Sequence, residues 1–140
     1  MGGGRLRMCH FLLAAMLVAA GSAPAPAAAE ELDSWTPVVE HRKDVVIARL
    51  GVCESGGSVH PDRSGYIGPY QFSTLTVINY VRERDGRALT VAQAQALARD
   101  EGQAAELAKY VIFERNGHRN WPACSRKLGL ARQIKAIRVP

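Results

Sequence analysis

The sequence predicts a small, mainly α-helical domain with one glycine-rich loop and one disulfide bond. Apolar residues recur at helical spacing on both sides of residues 58–70, a segment rich in glycine and proline. Cys53 and Cys124 stand on either side of that segment. With 140 residues, of which 47% are hydrophobic and 22% charged, the chain is long enough for one domain and too apolar for wholesale disorder.

The N-terminus has the layout of a secretory signal peptide. Arg5 and Arg7 give a positive start, residues 11–20 form an uncharged apolar run, and Ala27-Ala28-Ala29 is an A-x-A cleavage pattern. The alternative is an uncleaved membrane anchor, which needs about 20 apolar residues and therefore a longer run. We expect residues 1–29 to be removed and the product to be secreted, with no membrane segment.

Removal of residues 1–29 changes the net charge and the number of cysteines in the exported product. Loss of Arg5 and Arg7 lowers the net charge from +5 to +3. This mild charge suits an anionic polymer such as a cell wall and does not indicate a nucleic acid partner. Cys53 and Cys124 remain, and an even pair in an oxidising compartment predicts a disulfide, with two free thiols as the alternative.

The helices are predicted from their start and stop signals. Thr36-Pro37 predicts the start of a first helix that runs to Cys53 and is ended by Ser55-Gly56-Gly57. Residues 58–70 predict a glycine-rich loop or a short β-ribbon. Further helices are expected over residues 73–85, after the capping box Thr90-Val-Ala-Gln93, from Asp100 to residue 116, and over residues 124–128. Residues 131–140 carry three cations and no acid, so we expect a solvated basic tail outside a folded domain of residues 30–130.

Glu54 is the candidate catalytic acid. It follows Cys53 in the last turn of the first helix, and Gly56-Gly57 leaves space beside it. A carboxyl group at the rim of a helical core is partly desolvated, which raises its pKa and lets it donate a proton near neutral pH. An ordinary exposed glutamate at a helix end is the alternative, and position alone favours that alternative.

Aromatic and amide side chains near Glu54 favour a carbohydrate ligand. Tyr66, Tyr70, Gln71 and Trp121 are residue types that stack on sugar rings or form hydrogen bonds with their hydroxyl and N-acetyl groups. For Tyr70 and Trp121, packing in the core is an equal alternative.

Other chemistries lack their motifs in this sequence. His41, His60 and His118 are scattered, and the sequence has no His-Glu-x-x-His motif and no paired cysteine ligands. It has no Gly-x-Ser-x-Gly nucleophile motif, and its glycine pair follows a helix rather than the strand that precedes a phosphate-binding loop. We therefore expect no metal and no cofactor.

Four sequence blocks, in order, resemble the resuscitation-promoting-factor family, the transglycosylase-like branch of the lysozyme superfamily. They are Cys53-Glu-Ser-Gly-Gly57, Gly65-Tyr-Ile-Gly68, Gln71-Phe-Ser73 with Thr76, and Asn120-Trp-Pro-Ala-Cys-Ser-Arg-Lys-Leu-Gly129. The similarity covers residues 38–130. The resemblance implies an α+β, lysozyme-like fold that cleaves the β-1,4 bond between MurNAc and GlcNAc in peptidoglycan.

The resemblance also implies roles for individual residues. The family's catalytic acid corresponds to Glu54, its substrate-contacting threonine to Thr76, and a glutamine early in the penultimate helix to Gln103. Gln71 lies in the segment that lines the cleft. The implied protein is a secreted, cell-wall monomer whose partners are glycan strands and, as a further candidate, a peptidoglycan peptidase, with a role in wall remodelling or resuscitation.

The presence of a single acidic residue in the loop, Asp62, favours a lytic transglycosylase over a hydrolytic muramidase. Glycosidases with two carboxylates need a second Asp or Glu about 5–9.5 Å from the first, and Asp62 is the only acid in residues 55–82. We interpret Asp62 as the second residue of a Pro-Asp turn, so that Glu54 acts alone, first as acid and then as base. Val59 and Val77 stand where the family usually has tryptophan. They favour the alternative, a non-catalytic peptidoglycan-binding or signalling protein on the same fold.

Overall fold

The structure, a computed structural model, describes the backbone of residues 28–58 and 62–138 and the side chains of residues 36–58 and 62–137. Its α-helices and strands, in order, are α1 (Ala28–Ser55), β1 (Tyr66–Ile67), β2 (Phe72–Ser73), α2 (Thr74–Asp85), α3 (Val91–Arg99), α4 (Glu101–Lys109), α5 (Pro122–Leu128) and α6 (Leu130–Arg138). A π-helical turn, Tyr110–Glu114, and a 3-10 turn, Gly117–Asn120, connect α4 to α5. The predicted class, a mainly α-helical domain with a short β-ribbon and one disulfide, is confirmed.

The first helix begins earlier than predicted. Helix α1 has 28 residues and contains Pro37, so the prediction that Thr36-Pro37 starts the helix is wrong. The physical reason is that residues 28–32, Ala-Ala-Glu-Glu-Leu, are strong helix formers. Among the described residues no helix, α1 included, is long and apolar enough to cross a bilayer. Residues 1–27 of the predicted signal peptide lie outside the described residues.

The core is built around the second half of α1. Leu50 is fully buried and α1 contacts α4, α5 and α6. Apolar side chains from every later helix join it, and they include Val77, Val81, Leu97, Leu107, Ile112, Cys124 and Leu130. Val77, one of the two positions where the resembled family has tryptophan, is therefore a core residue. Val59, the other, lies outside the described residues.

Of the two forms expected for the glycine-rich segment, a loop or a short β-ribbon, the structure has a ribbon, and its second strand lies beyond residue 70. Strands β1 and β2 are antiparallel, with Tyr66 opposite Ser73 and Ile67 opposite Phe72. Ile67 and Phe72 are buried. Gly68 adopts φ +71°, and its backbone lies so close to α3 that an added Cβ would be 1.7 Å from the Ala98 carbonyl oxygen. Only glycine fits this contact, which fixes the ribbon on α3.

The C-terminal segment differs from the expected basic tail. Residues 130–138 form α6, in which Ile134 is buried and Ile137 packs against the core. Leu130, Ile134 and Ile137 follow the helical i, i+4, i+7 spacing, so the segment has an apolar face that can bury against α1. The folded domain therefore continues beyond residue 130.

Candidate functional site

Glu54 lies in the last turn of α1, between a disulfide-bonded cysteine and a pair of glycines that ends the helix. The neighbouring Cys53 forms the predicted disulfide with Cys124 of α5, with the Cα atoms 6.0 Å apart. Gly56 and Gly57 follow the helix with φ +62° and +74°, a left-handed conformation that ends a helix and that glycine adopts without strain. Glu54 itself is half-buried, as expected for a carboxyl group at the rim of the core.

The electrostatic surroundings of Glu54 combine burial with one cation. Desolvation raises the pKa of the Glu54 carboxyl above its ordinary value of 4.5, and the nearby Arg63 guanidinium opposes this rise. Arg63 Nη2 donates a hydrogen bond to the Ser55 carbonyl oxygen at 3.1 Å. The carboxyl group can therefore hold a proton at higher pH than an exposed glutamate, and its anion is stabilised once the proton leaves.

Sequence analysis missed Arg63. It is the single Lys or Arg between Arg49 and Arg82. A lone cation nine residues after Glu54 is the sequence feature that could have pointed to it. The structure brings it to the end of α1 because Arg63 and Tyr66 exchange two backbone hydrogen bonds, of 2.8 and 2.6 Å, which extend the ribbon toward Ser55.

The ribbon connects Arg63 to two other predicted site residues. Tyr66 is 54% exposed and lies opposite Ser73. Ser73 Oγ shares a 2.7 Å hydrogen bond with Thr76 Oγ1 and accepts one from the Thr76 backbone N–H at 3.1 Å, as the N-cap of α2. Glu54, Arg63, Tyr66, Ser73 and Thr76 thus form a continuous series of neighbours, and we call them the Glu54 site.

The remaining predicted sugar-binding residues have other contacts. Tyr70 is only 4% exposed, and its backbone oxygen accepts a 2.7 Å hydrogen bond from the indole N–H of Trp121, which is also buried. Both residues therefore match the core-packing alternative. Burial raises the pKa of the Tyr70 hydroxyl to about 12. Gln71 has φ +50° and its side-chain amide donates to the Gly68 carbonyl oxygen at 2.8 Å, so it supports the turn between the strands.

Gln103 lies at the start of α4 rather than in the Glu54 site. Its side chain is exposed, and its backbone N–H donates a 2.8 Å hydrogen bond to Asp100 Oδ1, the N-cap of that helix. The described contacts of Gln103 are those of a helix cap, and none of them joins it to Glu54 or to the ribbon.

Asp62 uses both carboxylate oxygens in structural contacts. Oδ1 accepts a hydrogen bond from the Gly68 backbone N–H and Oδ2 accepts one from Arg99 Nε, both at 2.9 Å. These two partners, the Gly68 N–H first, hold the pKa of Asp62 below its ordinary value. Asp62 is thus an ionised residue that closes the ribbon onto α3, while Pro61 of the interpreted Pro-Asp turn lies outside the described residues.

A groove of about 1050 Å³ lies beside the Glu54 site, between α1, α4 and the ribbon. Gly51 and Ser55 of α1 face Glu106 of α4 across it, and Tyr70 also lines it. An added Cβ at Gly51 would lie 3.2 Å from the Tyr70 ring, so the ring packs closely against the backbone of α1 at this glycine. Glu54 does not line this groove, and the chemistry of Glu54 rather than the size of the groove identifies the candidate site.

Comparisons of the chain with protein-family models, with curated proteins and with solved structures find no match. Within the described residues, no three His, Cys, Asp or Glu side chains lie close enough together to hold a metal ion.

Proposed function

We propose that this protein is a secreted enzyme that cleaves the MurNAc–GlcNAc β-1,4 bond of peptidoglycan as a lytic transglycosylase, on a lysozyme-like fold. The observation that carries the proposal is Glu54, a half-buried carboxyl group whose pKa is raised by burial, beside Arg63 and next to the Cys53 disulfide. A general acid needs a raised pKa, a fixed position and access to substrate. In support, burial raises the pKa of Glu54, the neighbouring disulfide fixes its backbone, and its side chain is half-buried rather than enclosed. The four sequence blocks that resemble the resuscitation-promoting-factor family supply the substrate class.

In the first step Glu54 acts as the acid. Its carboxyl O–H protonates the glycosidic oxygen, and the C1–O4 bond breaks with its electron pair moving to that oxygen. The carbonyl oxygen of the substrate's own N-acetyl group bonds to C1 and stabilises the positive charge, as in other glycosidases that rely on substrate assistance. Arg63 stabilises the glutamate anion that this step produces.

In the second step the Glu54 carboxylate acts as the base. It accepts the proton of the MurNAc 6-hydroxyl, whose oxygen forms a bond with C1 while the N-acetyl oxygen leaves. The product is a 1,6-anhydro sugar, no water is consumed, and Glu54 regains its proton.

Asp62 supports this assignment of a single catalytic carboxylate. A retaining or inverting hydrolase needs a second carboxylate to attack C1 or to activate water. Asp62 is the only acid in the loop, and its oxygens accept hydrogen bonds from Gly68 and Arg99. Its use as a nucleophile or base would require these bonds to break, so hydrolysis is the second choice.

The ribbon and the first turn of α2 supply candidate contacts for the glycan. Tyr66 offers an aromatic face and Thr76 a hydroxyl group, and they are the two predicted substrate-binding residues that adjoin Arg63 and Ser73. The reaction needs neither metal nor cofactor. The peptidoglycan peptidase remains a further candidate partner.

The test is release of soluble fragments from purified, dye-labelled peptidoglycan by the wild type and by Glu54→Gln. We expect the variant to lose about a hundredfold or more of the activity, because general acid catalysis contributes about 10²–10⁴ in rate. Glu114→Gln is the matched control, since Glu114 is an exposed glutamate at the end of the π-helical turn, and it should retain full activity.

Two results would contradict the proposal. If Glu54→Gln released fragments as fast as the wild type, another residue would be the acid. If the folded, oxidised wild type bound peptidoglycan without releasing fragments, the alternative of a non-catalytic binding or signalling protein would stand.

A further inference from the structure

The positive charge of this protein is concentrated at its C-terminal end. Residues 116–140 contain six of the 18 Lys and Arg residues and no acidic residue, since the last one in the sequence is Glu114. The preceding residues carry the other 12 Lys and Arg and all 13 Asp and Glu, so the net charge of +5 arises from this segment. A field of one sign attracts ligands of the opposite charge.

Three arginines of this segment line one cavity. It has a volume of about 570 Å³ and lies where the 3-10 turn, α5 and α6 meet. The turn supplies Arg119, α5 supplies Arg126 and α6 supplies Arg132, while His118 and Ser125 also line the cavity. None of the described residues that line it is acidic. The volume is in the range of small-molecule sites in proteins.

Among the residues whose side chains the structure describes, no carboxylate neutralises these arginines. Within the described part of the chain, Arg119, Arg126 and Arg132 form no ion pair. Elsewhere Arg99 and Arg115 each contact a carboxylate. Three guanidinium groups without counter-charge attract a ligand with two or more negative charges more strongly than they attract a single carboxylate. The planar arrangement of their N–H groups also fits the oxygens of a phosphate.

The fold fixes the backbone that carries these exposed arginine side chains. Gly129 ends α5 with φ +63°. The Arg132 guanidinium lies close to it, because Nη2 would be 3.3 Å from a Cβ added at position 129. Cys124 fixes α5 through the disulfide, and Ile134 anchors α6 in the core. In the cavity wall, His118 Nδ1 is buried without a hydrogen-bond partner in the described structure, which is uncommon for a buried polar atom.

We propose that this cavity binds a phosphate-type oxyanion, with Arg119, Arg126 and Arg132 as its ligands. The site is separate from Glu54 and does not depend on the function proposed there. The phosphate can belong to a free phosphate compound, to a phosphodiester polymer or to a lipid headgroup, because all three present the same oxygens to the guanidinium groups.

The test measures the affinity of the purified protein for inorganic pyrophosphate by isothermal titration calorimetry. The variant Arg126→Gln with Arg132→Gln should bind at least about tenfold more weakly, because hydrogen bonds to charged groups are the strong ones. The matched control is Arg42→Gln with Arg49→Gln, which removes the same charge from exposed positions on α1. It should change the affinity by less than about twofold, since distant surface charges are screened by salt.

Two further probes identify the source of the phosphate. A glycerol-phosphate oligomer represents the polymer, and vesicles that contain phosphatidylglycerol represent the lipid. Binding of either that is lost in the cavity variant and kept in the α1 variant supports the site. Equal weakening in both variants, or no binding of any phosphate probe by the folded wild type, would overturn it. If the double variant fails to fold, Arg119→Gln alone gives the same test, because this side chain is exposed.

Discussion

Loss of the disulfide between Cys53 and Cys124 should destabilise the protein by a large and calculable amount. The bond closes a loop with a sequence separation of 71 residues. In the chain-entropy model a loop of this length restricts the unfolded chain by about 15 cal/mol/K, or about 4 kcal/mol at 25 °C. Since small domains are stable by about 5–15 kcal/mol, the protein with Cys53→Ala and Cys124→Ala should fold only marginally.

Urea unfolding, followed by the fluorescence of the buried Trp121, measures this effect. With a urea dependence of about 1–3 kcal/mol per molar, the transition midpoint of the double variant should fall by about 1.5–4 M. Treatment of the wild type with a reductant should lower its transition midpoint to a similar value. A midpoint within about 0.3 M of the oxidised wild type would refute the reasoning, because the covalent link from α1 to α5 would then contribute little.

Three other predictions follow from single contacts. Gly68→Ala should cost about 2–5 kcal/mol, from the left-handed φ and the overlap with the Ala98 carbonyl, and an unchanged Tm would contradict this. Arg63→Gln should raise the pKa of Glu54 further, because it removes the opposing cation. The alkaline limb of the pH–activity profile should then move to higher pH, whereas Arg82→Gln should leave it in place. Glu54→Gln should be more stable than the wild type at neutral pH. The raised native pKa of Glu54 stabilises the fold only while the group is protonated, and this contribution is lost as the pH rises through that pKa. The difference in Tm should disappear below the unfolded pKa of about 4.3, and a constant difference down to pH of about 3 would contradict the assignment.

The features that sequence analysis predicted well are those fixed within a few residues. Thr90 and Gln93 form the predicted capping box of α3, and Asp100 caps α4. The helix expected over residues 124–128 ends at Leu128, followed by Gly129 in a left-handed conformation. Such motifs satisfy the backbone groups at a helix end locally, so they could be read without knowledge of the tertiary fold.

The features that it missed depend on contacts between distant segments. The cations of residues 131–140 led to the prediction of a solvated tail. The apolar face of α6 is buried because it packs against α1, a contact that the local sequence does not contain. Arg63 reaches the end of α1 through its backbone hydrogen bonds with Tyr66, in a ribbon that closes on α3 through Asp62 and Arg99. Tyr70 could equally have faced a ligand or the core, and only the packing against Gly51 and Trp121 decides for the core.

The most direct test of a single catalytic carboxylate is mass spectrometry of the muropeptides released from purified peptidoglycan by the wild type, Asp62→Asn and Glu54→Gln. We expect 1,6-anhydro ends from the wild type, the same ends from any folded Asp62→Asn protein, and products reduced by about a hundredfold or more with Glu54→Gln. Reducing ends, heavier by one water, would contradict this expectation, because a hydrolase would need a second carboxylate and Asp62 would be the candidate.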